Sequence, residues 1–278
     1  MITFKKLGHY GRMGNQLFQY AALKCLSLRK NYPLVLPYTQ NNKLTNFKVR
    51  CYFVNPVEVE QPLKIFKETQ FHFDKDFFKC TDQTDFEGYY QTEKYFKDIS
   101  YIIKREFQIS DPHKEKACQN TIKRIRDKHP LQKITAFHIR RGDNVPSPVN
   151  GASPSGEQFK TNKGDYHPLL SEEYIDYALN KFSDDIKLVF SDSKEDIDWC
   201  KENLDGSDLY FIGSDDIFDF RLMQLCDNNV ISNSSFSWWA AWLNDNKDKE
   251  ILAPARWFGK ELKHHNLCDL IPNEWESY

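Results

Sequence analysis

Two arginines and an aspartate follow a short apolar segment in the middle of the chain. The segment spans residues 134–139, and Arg140, Arg141 and Asp143 come directly after it, around Gly142. An apolar, β-prone run of this length predicts a buried strand, so these charges fall where the strand leaves the sheet. Because a guanidinium group matches phosphate oxygens in a two-pronged hydrogen bond, the segment indicates a phosphate or diphosphate site. Ion pairs at the surface would explain the same residues.

Two further polar turns follow predicted strands. Residues 186–190 lead into the Ser-Asp-Ser turn at 191–193, and residues 230–231 lead into the Ser-Asn-Ser-Ser turn at 232–235. The second turn opens a helix, whose N-terminus can bind a phosphate through backbone N–H groups, hydroxyls and the positive end of the helix dipole. Asp192 could accept hydrogen bonds from a ribose or a base edge, or it could be an acidic residue at a helix start.

A glycine-rich turn near the N-terminus is a weaker signal of the same kind. Residues 2–7 read as a strand and residues 17–26 as a helix, and the turn at 8–16 separates them. The turn matches neither the dinucleotide-binding motif nor the P-loop, but it presents a helix N-terminus to an anion. Arg12 and Asn15 are the residues that could reach a ligand from it.

The elements that must position these turns form an alternating pattern. From residue 134 onward strands and helices alternate, which predicts an α/β fold with a parallel, doubly wound sheet. The carboxyl ends of such strands face one crevice, where ligands bind. We expect two domains, residues 1–130 and residues 131–278, both Rossmann-like, and in the first a helix that runs from residue 88 toward Phe107. A long loop rich in Pro, Gly, Ser and Asn, residues 144–167, follows the central strand.

Composition excludes several classes of function. A net charge of −2 gives no basic field for nucleic acid, and no segment reads as a signal peptide or a membrane helix. The seven cysteines are scattered, which is typical of thiols in a reducing compartment. We expect a cytoplasmic protein with at most peripheral contact with the inner face of a membrane. Three tryptophans at 238, 239 and 242 are interpreted as core residues.

The chemistry that fits these features is transfer of a sugar from a nucleotide diphosphate. Fixed cations and a helix N-terminus would stabilise the departing diphosphate as charge develops on it. The acceptor hydroxyl then needs a base, for which Asp143 is a candidate and His167 and Glu157 are weaker ones. Two Asp-x-Asp triplets, 74–76 and 196–198, could hold a metal ion. The second lies in a helix pattern that Ser193 caps, and the first has no apolar strand that leads cleanly into a turn. Because the arginines and the helix N-terminus would already stabilise the diphosphate, no metal would be required.

The sequence resembles glycosyltransferase family 11, the α-1,2-fucosyltransferases, in an ordered set of motifs that spans nearly the whole chain. The matching segments are residues 11–21, 88–91, 138–143, 190–192, 233–243 and 269–275. The resemblance implies a GT-B fold, with two Rossmann-like domains facing a central cleft. The first domain would serve the acceptor and the second the nucleotide sugar.

The reaction that the resemblance implies is transfer of L-fucose from GDP-β-L-fucose, with inversion and without a metal or other cofactor. The acceptor would be the 2-hydroxyl of a terminal galactose in an oligosaccharide or lipid-linked glycan, as in an O-antigen or capsule. A related enzyme using another nucleotide-activated deoxysugar, and a non-catalytic glycan-binding protein, are the alternatives. Retention of Arg140 and Asn15 argues against the non-catalytic one.

The resemblance also assigns roles to individual residues. Arg140 would contact the diphosphate with support from Arg141, and Asn15 would approach the reaction centre. The predicted catalytic residues are Arg140, Asp143 and Asn15. The predicted donor-binding residues are Arg12, Gly14, His138, Arg141, Asp192, Ser234, Ser235 and Phe236, and the predicted acceptor-binding residues are Gln91 and His167. The chain departs mildly from the family at Ser193 and Ser235. Its loop at 144–167, which sits where an acceptor would be held, is longer than in many bacterial members.

Overall fold

The computed structural model describes residues 1–59, 63–142 and 166–278. These residues form two compact units. The first unit comprises Met1–Glu115 and His265–Asn273, and the second comprises Lys116–His264 and Glu274–Tyr278. Among the helices in these ranges, none is both long enough and apolar enough to span a membrane.

The first unit contains short parallel strands and two α-helices. Its strands are β1 (Ile2–Thr3), β2 (Val35–Pro37), β3 (Tyr52–Val54), β4 (Lys64–Lys67) and β5 (Thr84–Glu87), and its helices are α1 (Met13–Lys30) and α2 (Ser100–Glu106). One sheet has the order β1-β5-β4, and β2 pairs with β3 in another. A parallel bridge between Ile2 and Leu34 connects the two sheets.

The strand predicted at residues 2–7 ends at Thr3. Phe4 and Leu7 are both fully buried, and the N–H of Leu7 donates to the carbonyl of Phe4 at 3.1 Å. An extended strand would place residues three apart on opposite faces, so burying both on one side requires a turn. Asp85 stabilises this turn, because its carboxylate accepts from the N–H of Lys5 at 2.9 Å.

The helix predicted from residue 88 toward Phe107 is mostly absent. Two 3₁₀ turns, Glu93–Tyr95 and Lys97–Ile99, precede the short helix α2. The reason is a cluster of buried aromatic rings: Phe77 lies 5.2 Å from Tyr90 and 4.8 Å from Tyr95, measured between ring centroids. Tyr90 also has a positive φ of 53°, which no helix accommodates.

The second unit is a six-stranded parallel sheet with helices between the strands. The strands are β6 (Ile134–His138), β7 (Ile186–Phe190), β8 (Leu209–Ile212), β9 (Asn228–Val230), β10 (Ile251–Ala253) and β11 (Glu276–Ser277). The helices are α3 (Pro112–Lys128), which crosses the boundary between the units, α4 (Glu172–Lys181), α5 (Lys194–Asn203), α6 (Asp216–Gln224) and α7 (Ser235–Trp242). The predicted alternation in this half of the chain is therefore confirmed.

The strand order of this sheet is β11-β10-β9-β6-β7-β8. The first strand of the unit, β6, lies in the middle; the chain builds β7 and β8 on one side of it and β9 to β11 on the other. This is the doubly wound order whose direction reverses between β6 and β9. Ligands bind in such sheets at the carboxyl ends of the two strands that flank the reversal.

The division between the units falls at residues 115/116, whereas the sequence-based boundary is 130/131. Helix α3 accounts for the difference, because most of it packs in the second unit. Its Cys118 thiol contacts the carbonyl of Phe218 at 3.6 Å, and its Arg126 binds both carboxylate oxygens of Asp227 at 3.0 and 2.7 Å. The assignment of acceptor and donor to the two units stays a prediction.

Helix α7 is almost wholly buried. Trp238 and Trp239 have no exposed surface and Trp242 is 8% exposed. The ring of Trp238 packs 5.3 Å from that of Trp275, near the C-terminal strand. The three tryptophans are therefore core residues, as predicted, and they fix the position of the N-terminus of α7.

Candidate functional site

His138 is the last residue of β6, at the point where the strand order reverses. Its side chain is buried, Nδ1 lies 2.6 Å from Ser232 Oγ after β9, and its ring lies 5.6 Å from that of Phe236. Burial lowers the pKa of His138 to about 3, and the charge of Arg140 contributes in the same direction. The imidazole is therefore neutral at physiological pH and connects the ends of β6 and β9.

The turn after β6 is held by two carboxylates, one from the β7–α5 connection and one from the first turn of α5. The backbone N–H of Arg141 donates to Asp192 Oδ2 at 3.1 Å, and the N–H of Gly142 donates to Asp196 Oδ2 at 3.0 Å. Gly142 has φ of +35°, and a Cβ atom there would lie 3.0 Å from the side chain of Asp192. The close approach of these two turns explains the glycine.

The guanidinium group of Arg141 lies against the protein. It stacks 3.6 Å from the ring centroid of Trp199, and its Nε lies 3.6 Å from Asp196 Oδ1. Asp196 also accepts from the hydroxyl of Ser193 at 3.0 Å, and its N–H donates to that hydroxyl oxygen at 3.1 Å. The predicted cap of α5 is thus present, while the Asp196 carboxylate turns toward the arginine turn. Arg140 is partly exposed beside these groups.

The N-terminus of α7 also lies at the carboxyl-end edge of the sheet. Ser234 is its N-cap and accepts from the N–H of Phe236 at 3.3 Å. Asn233 is buried and its amide donates to the carbonyls of Pro168 and Trp257, at 2.8 and 3.1 Å. Ser235 and Phe236 are partly exposed. Asn233 and Ser234 thus build the helix start, and the donor contacts predicted for Ser234, Ser235 and Phe236 stay predictions.

Asp219 in α6 is a candidate that sequence reasoning missed. It is 7% exposed and, among the described residues, no group donates a hydrogen bond to its Oδ1. Burial raises the pKa of Asp219 to about 7, and Asp215 and Asp216 contribute in the same direction. The next residue, Phe220, packs 5.3 Å from Phe236. Asp219 is a candidate because it is a buried acid with one carboxylate oxygen that accepts no hydrogen bond from a described group. The sequence could not indicate this, because burial cannot be read from it.

Four predictions concern the region after the central strand. Asp143 and Glu157, and most of the predicted loop at 144–167, lie outside the described residues. His167 is described; it is partly exposed in the second unit, with its ring 5.4 Å from that of Phe258. Its predicted role with the acceptor is not tested by these contacts.

In the first unit the glycine turn carries Asn15. Gly11 has φ of +86°, and a Cβ atom there would lie 1.9 Å from Asn15 Nδ2. Asn15 Oδ1 accepts from Gln91 Nε2 at 2.7 Å. Two motifs far apart in sequence, at 11–21 and 88–91, are therefore in direct contact. Arg12 is exposed at the N-cap of α1, and Gly14 is buried in the first turn.

Two buried glutamines of α1 hold the surrounding loops, a function that sequence reasoning also missed. Gln19 Nε2 donates to the carbonyls of Tyr10 and Gly88, at 3.0 and 3.1 Å. Gln16 donates to the carbonyl of Asn41 and accepts from the N–H of Lys43. The sequence could have indicated this role, because both glutamines occupy positions of α1 that are otherwise apolar.

Neither Asp-x-Asp triplet presents a ready metal site. Asp74 accepts from the N–H of Asp76, whose carboxylate pairs with Lys79 at 2.6 Å. Asp198 pairs with Lys201 at 2.7 Å, and Asp196 holds the arginine turn. Within residues 1–59, 63–142 and 166–278, no cluster of three or more His, Cys, Asp or Glu side chains could hold a metal ion.

Sequence comparison relates the chain to transferases of α-1,2 linkages. It is 28% identical to the alpha-1,2-colitosyltransferase of Escherichia coli, over 95% of both chains. It is 30% identical to the O-antigen biosynthesis glycosyltransferase WbnK of Escherichia coli, over 49% of this chain and 42% of WbnK. It is 26% identical to galactoside alpha-(1,2)-fucosyltransferase 1 of Alouatta belzebul, over 84% of this chain and 63% of the relative. The chain thus spans less than two thirds of the last two.

Solved structures agree on the fold. Fucosyltransferase NodZ from Bradyrhizobium has a TM-score of 0.51 at 12% identity, covering 86% of this chain and 92% of NodZ. A mutant of Arabidopsis thaliana FUT1 in complex with GDP has a TM-score of 0.50 at 11% identity, covering 91% of this chain and 69% of FUT1. The predicted GT-B type of α/β fold is confirmed.

The family model described as glycosyl transferase family 11 matches residues 4–276, nearly the whole chain. The match includes both residue pairs described above, Asn15 with Gln91 and His138 with Ser232. The chain therefore belongs to glycosyltransferase family 11.

Proposed function

We propose that the protein transfers L-fucose from GDP-β-L-fucose to the 2-hydroxyl of a terminal galactose in a surface glycan. The transfer inverts the anomeric centre and needs no metal ion. The observation that carries the proposal is the group of residues at the strand reversal, where Arg140 and the N-terminus of α7 flank the neutral His138. Relatives named for α-1,2 transfer support the linkage.

In this proposal the donor diphosphate binds at the carboxyl ends of β6 and β9. Arg140 is partly exposed there, while the guanidinium of Arg141 stacks on Trp199. The N-terminus of α7 and the positive end of its dipole can face an anion at the same edge. As the sugar–phosphate bond breaks, charge grows on the departing GDP, and these groups stabilise it. Arg141, His138 and Ser234 act by holding the site in shape.

The same groups explain why no metal is proposed. A divalent ion would serve to neutralise the departing diphosphate, and here a fixed guanidinium and a helix N-terminus supply positive charge. The Asp-x-Asp carboxylates are engaged with Lys79, Lys201 and the arginine turn. Asn15, positioned by Gln91, is proposed to contact the reacting sugar, and Gln91 and His167 to contribute to acceptor binding.

Asp219 is proposed to select guanine. The Watson–Crick edge of guanine presents two adjacent donors, N1–H and the N2 amino group, which a carboxylate accepts in a two-pronged arrangement. Asp219 follows β8, whose carboxyl end lies at the same edge of the sheet, and it has an oxygen to which no described group donates. Thymine offers one donor on that edge, so this contact favours GDP-sugars over dTDP-sugars.

A second donor has specific support. The relative that aligns over 95% of both chains is named for transfer of colitose. The diphosphate and guanine contacts proposed here would serve a GDP-activated form of either sugar. The two donors therefore differ only in contacts to the sugar ring.

The proposal is tested by incubating the protein with GDP-fucose or GDP-colitose, with lactose and other β-galactosides as acceptors, with and without EDTA. We expect an α-1,2-linked fucose product, identified by NMR, formed at the same rate in EDTA. Preferred use of GDP-colitose would favour the second donor. A large loss in EDTA that Mn²⁺ restores would contradict the metal-free reaction.

A thermal shift with GDP separates a wrong acceptor from a wrong donor. Ligand at ~100-fold its dissociation constant adds about 2.7 kcal/mol to the free energy of unfolding. If no acceptor reacts but GDP stabilises the protein, the panel lacked the acceptor. If GDP fails to stabilise it, the donor assignment is wrong.

Replacing Arg140 with alanine should abolish most turnover. Loss of one preorganised group that stabilises transition-state charge costs about 3–4 kcal/mol, or roughly 100- to 1,000-fold in kcat. Arg124→Ala is the matched control, because Arg124 is exposed on α3. Near-normal kcat in the Arg140 variant would contradict the role assigned to it.

Replacing Asp219 with asparagine should weaken GDP binding. The NH₂ group of the amide is a hydrogen-bond donor, so it cannot accept from the N1–H or the N2 amino group of guanine. Loss of a hydrogen bond to a charged group costs about 1.5–3 kcal/mol, or roughly 10- to 100-fold in Kd by calorimetry. Asp205→Asn, at an exposed position, is the control. An unchanged ratio of GDP to dTDP affinity would refute the assignment.

The pH dependence of stability and of GDP affinity tests the assignment of Asp219 independently. Its pKa is raised from 3.8 to about 7 in the folded protein, so its contribution to the free energy of unfolding falls as pH rises between these values. Without ligand, Asp219→Asn should therefore be more stable than the parent at pH 8 in urea denaturation. GDP affinity of the parent should weaken below pH 7, where the carboxyl is protonated.

A further inference from the structure

Glu68 in the first unit organises a strained turn. Its Oε2 accepts from the N–H of Tyr89 at 2.7 Å and its Oε1 from the N–H of Tyr90 at 2.9 Å. The backbone around it is unusual, with φ of 158° at Gly88 and 53° at Tyr90. A non-glycine residue in the left-handed region costs of order 1 kcal/mol and persists only where its surroundings hold it. Two hydrogen bonds to one carboxylate provide that hold.

Gly88 is required by the same arrangement. A Cβ atom at this position would lie 2.5 Å from Glu68 Cβ and 2.9 Å from Glu68 Oε2. The Glu68 N–H also donates to the carbonyl of Glu87 at 2.8 Å, and the Gly88 carbonyl accepts from Gln19. The segment 87–90 therefore wraps closely around the Glu68 side chain and is tied to α1.

The turn ends at Gln91, which reaches Asn15. Gln91 is buried, and its Nε2 donates to Asn15 Oδ1 at 2.7 Å. This hydrogen bond orients the amide of Asn15, because once Oδ1 accepts from Gln91 its Nδ2 must point elsewhere. A shift of the turn would move Gln91 and release Asn15.

We infer that Glu68 is a positioning residue for glycosyl transfer: its carboxylate fixes the turn at 88–90, which holds Gln91 against Asn15. The inference rests on the proposed function, in which Asn15 contacts the reacting sugar. Glu68 itself touches neither substrate, and it acts through the Tyr89 and Tyr90 N–H groups. Loss of the Glu68 carboxylate should therefore lower kcat. GDP affinity, which depends on the second unit, should stay unchanged.

The charge state of Glu68 makes the inference measurable. Burial raises the pKa of Glu68 to about 7, and Asp74 contributes, while the two N–H hydrogen bonds oppose the rise. In the part of the chain that the structure describes, the other titratable groups that interact with it are the phenols of Tyr89, Tyr90 and Tyr95, whose pKa values are all raised by burial and which are therefore neutral. Below pH 7 the protonated carboxyl accepts the two N–H groups less well, and the turn loosens.

The experiment compares the parent with Glu68→Gln from pH 5.5 to 8.5, measuring kcat, KM for the donor and Kd for GDP. The amide keeps the shape but offers one acceptor oxygen. We expect kcat to fall roughly 10- to 100-fold, the scale of a misplaced catalytic group, with Kd for GDP within about twofold. In the parent, kcat should fall as the pH drops below 7. In the variant, the kcat–pH profile should not show this fall. Glu58→Gln, exposed in the same unit, is the control.

Gln91→Ala and the double variant complete the test. If Glu68 acts through Gln91, the two single substitutions are not additive, and the double variant resembles the worse single one. Additive losses, or an acid limb that survives in Glu68→Gln, would overturn the inference.

Amide hydrogen exchange tests the device without relying on a variant or on activity. In the parent, protection of the Tyr89 and Tyr90 N–H groups, corrected for intrinsic exchange, should fall below pH 7. Constant protection would overturn the inference. If the parent transfers no sugar and GDP does not stabilise it, the proposed function fails, while loss of protection below pH 7 still supports the link between Glu68 and the turn.

Discussion

The hydrogen bonds that the Arg141 and Gly142 N–H groups donate to Asp192 and Asp196 determine the geometry of the second unit's site. They draw the turn after β6 against the turn after β7 and leave no space for a side chain at position 142. The Arg141 guanidinium is then held against Trp199, and the neutral His138 connects β6 to the end of β9. Arg140 and the start of α7 are thereby set at one edge of the sheet.

In the first unit, too, a carboxylate holds a turn by accepting its backbone N–H groups. There the Glu68 carboxylate accepts two consecutive backbone N–H groups, and the turn that it fixes carries Gln91 to Asn15. In both units a carboxylate on one element holds a glycine-containing turn on another, and the turn presents a side chain proposed to act on the substrates. A carboxylate suits this task because charge-assisted hydrogen bonds are stronger than neutral ones and can offset backbone strain.

The sequence predicted the parts of the fold that repeat. Strand and helix alternation from residue 134, the cap at Ser193 and the buried tryptophans of α7 all follow from local patterns and are confirmed. Helix formation after Gly88 was wrong, because packing of Tyr90 and Tyr95 on Phe77 overrides local preference. Asp219 and Glu68 could not have been found, since their significance comes from burial and from partners distant in sequence. The roles of Arg140 and Asn15 rest on family resemblance and stay predictions.

The most direct test of the central claim is a crystal structure of the protein with GDP. The account predicts that the diphosphate lies at the carboxyl ends of β6 and β9, with the Arg140 guanidinium and the first N–H groups of α7 within hydrogen-bond distance of its oxygens. It also predicts that guanine reaches Asp219. A diphosphate bound elsewhere, with Arg140 and the start of α7 unchanged, would contradict the account.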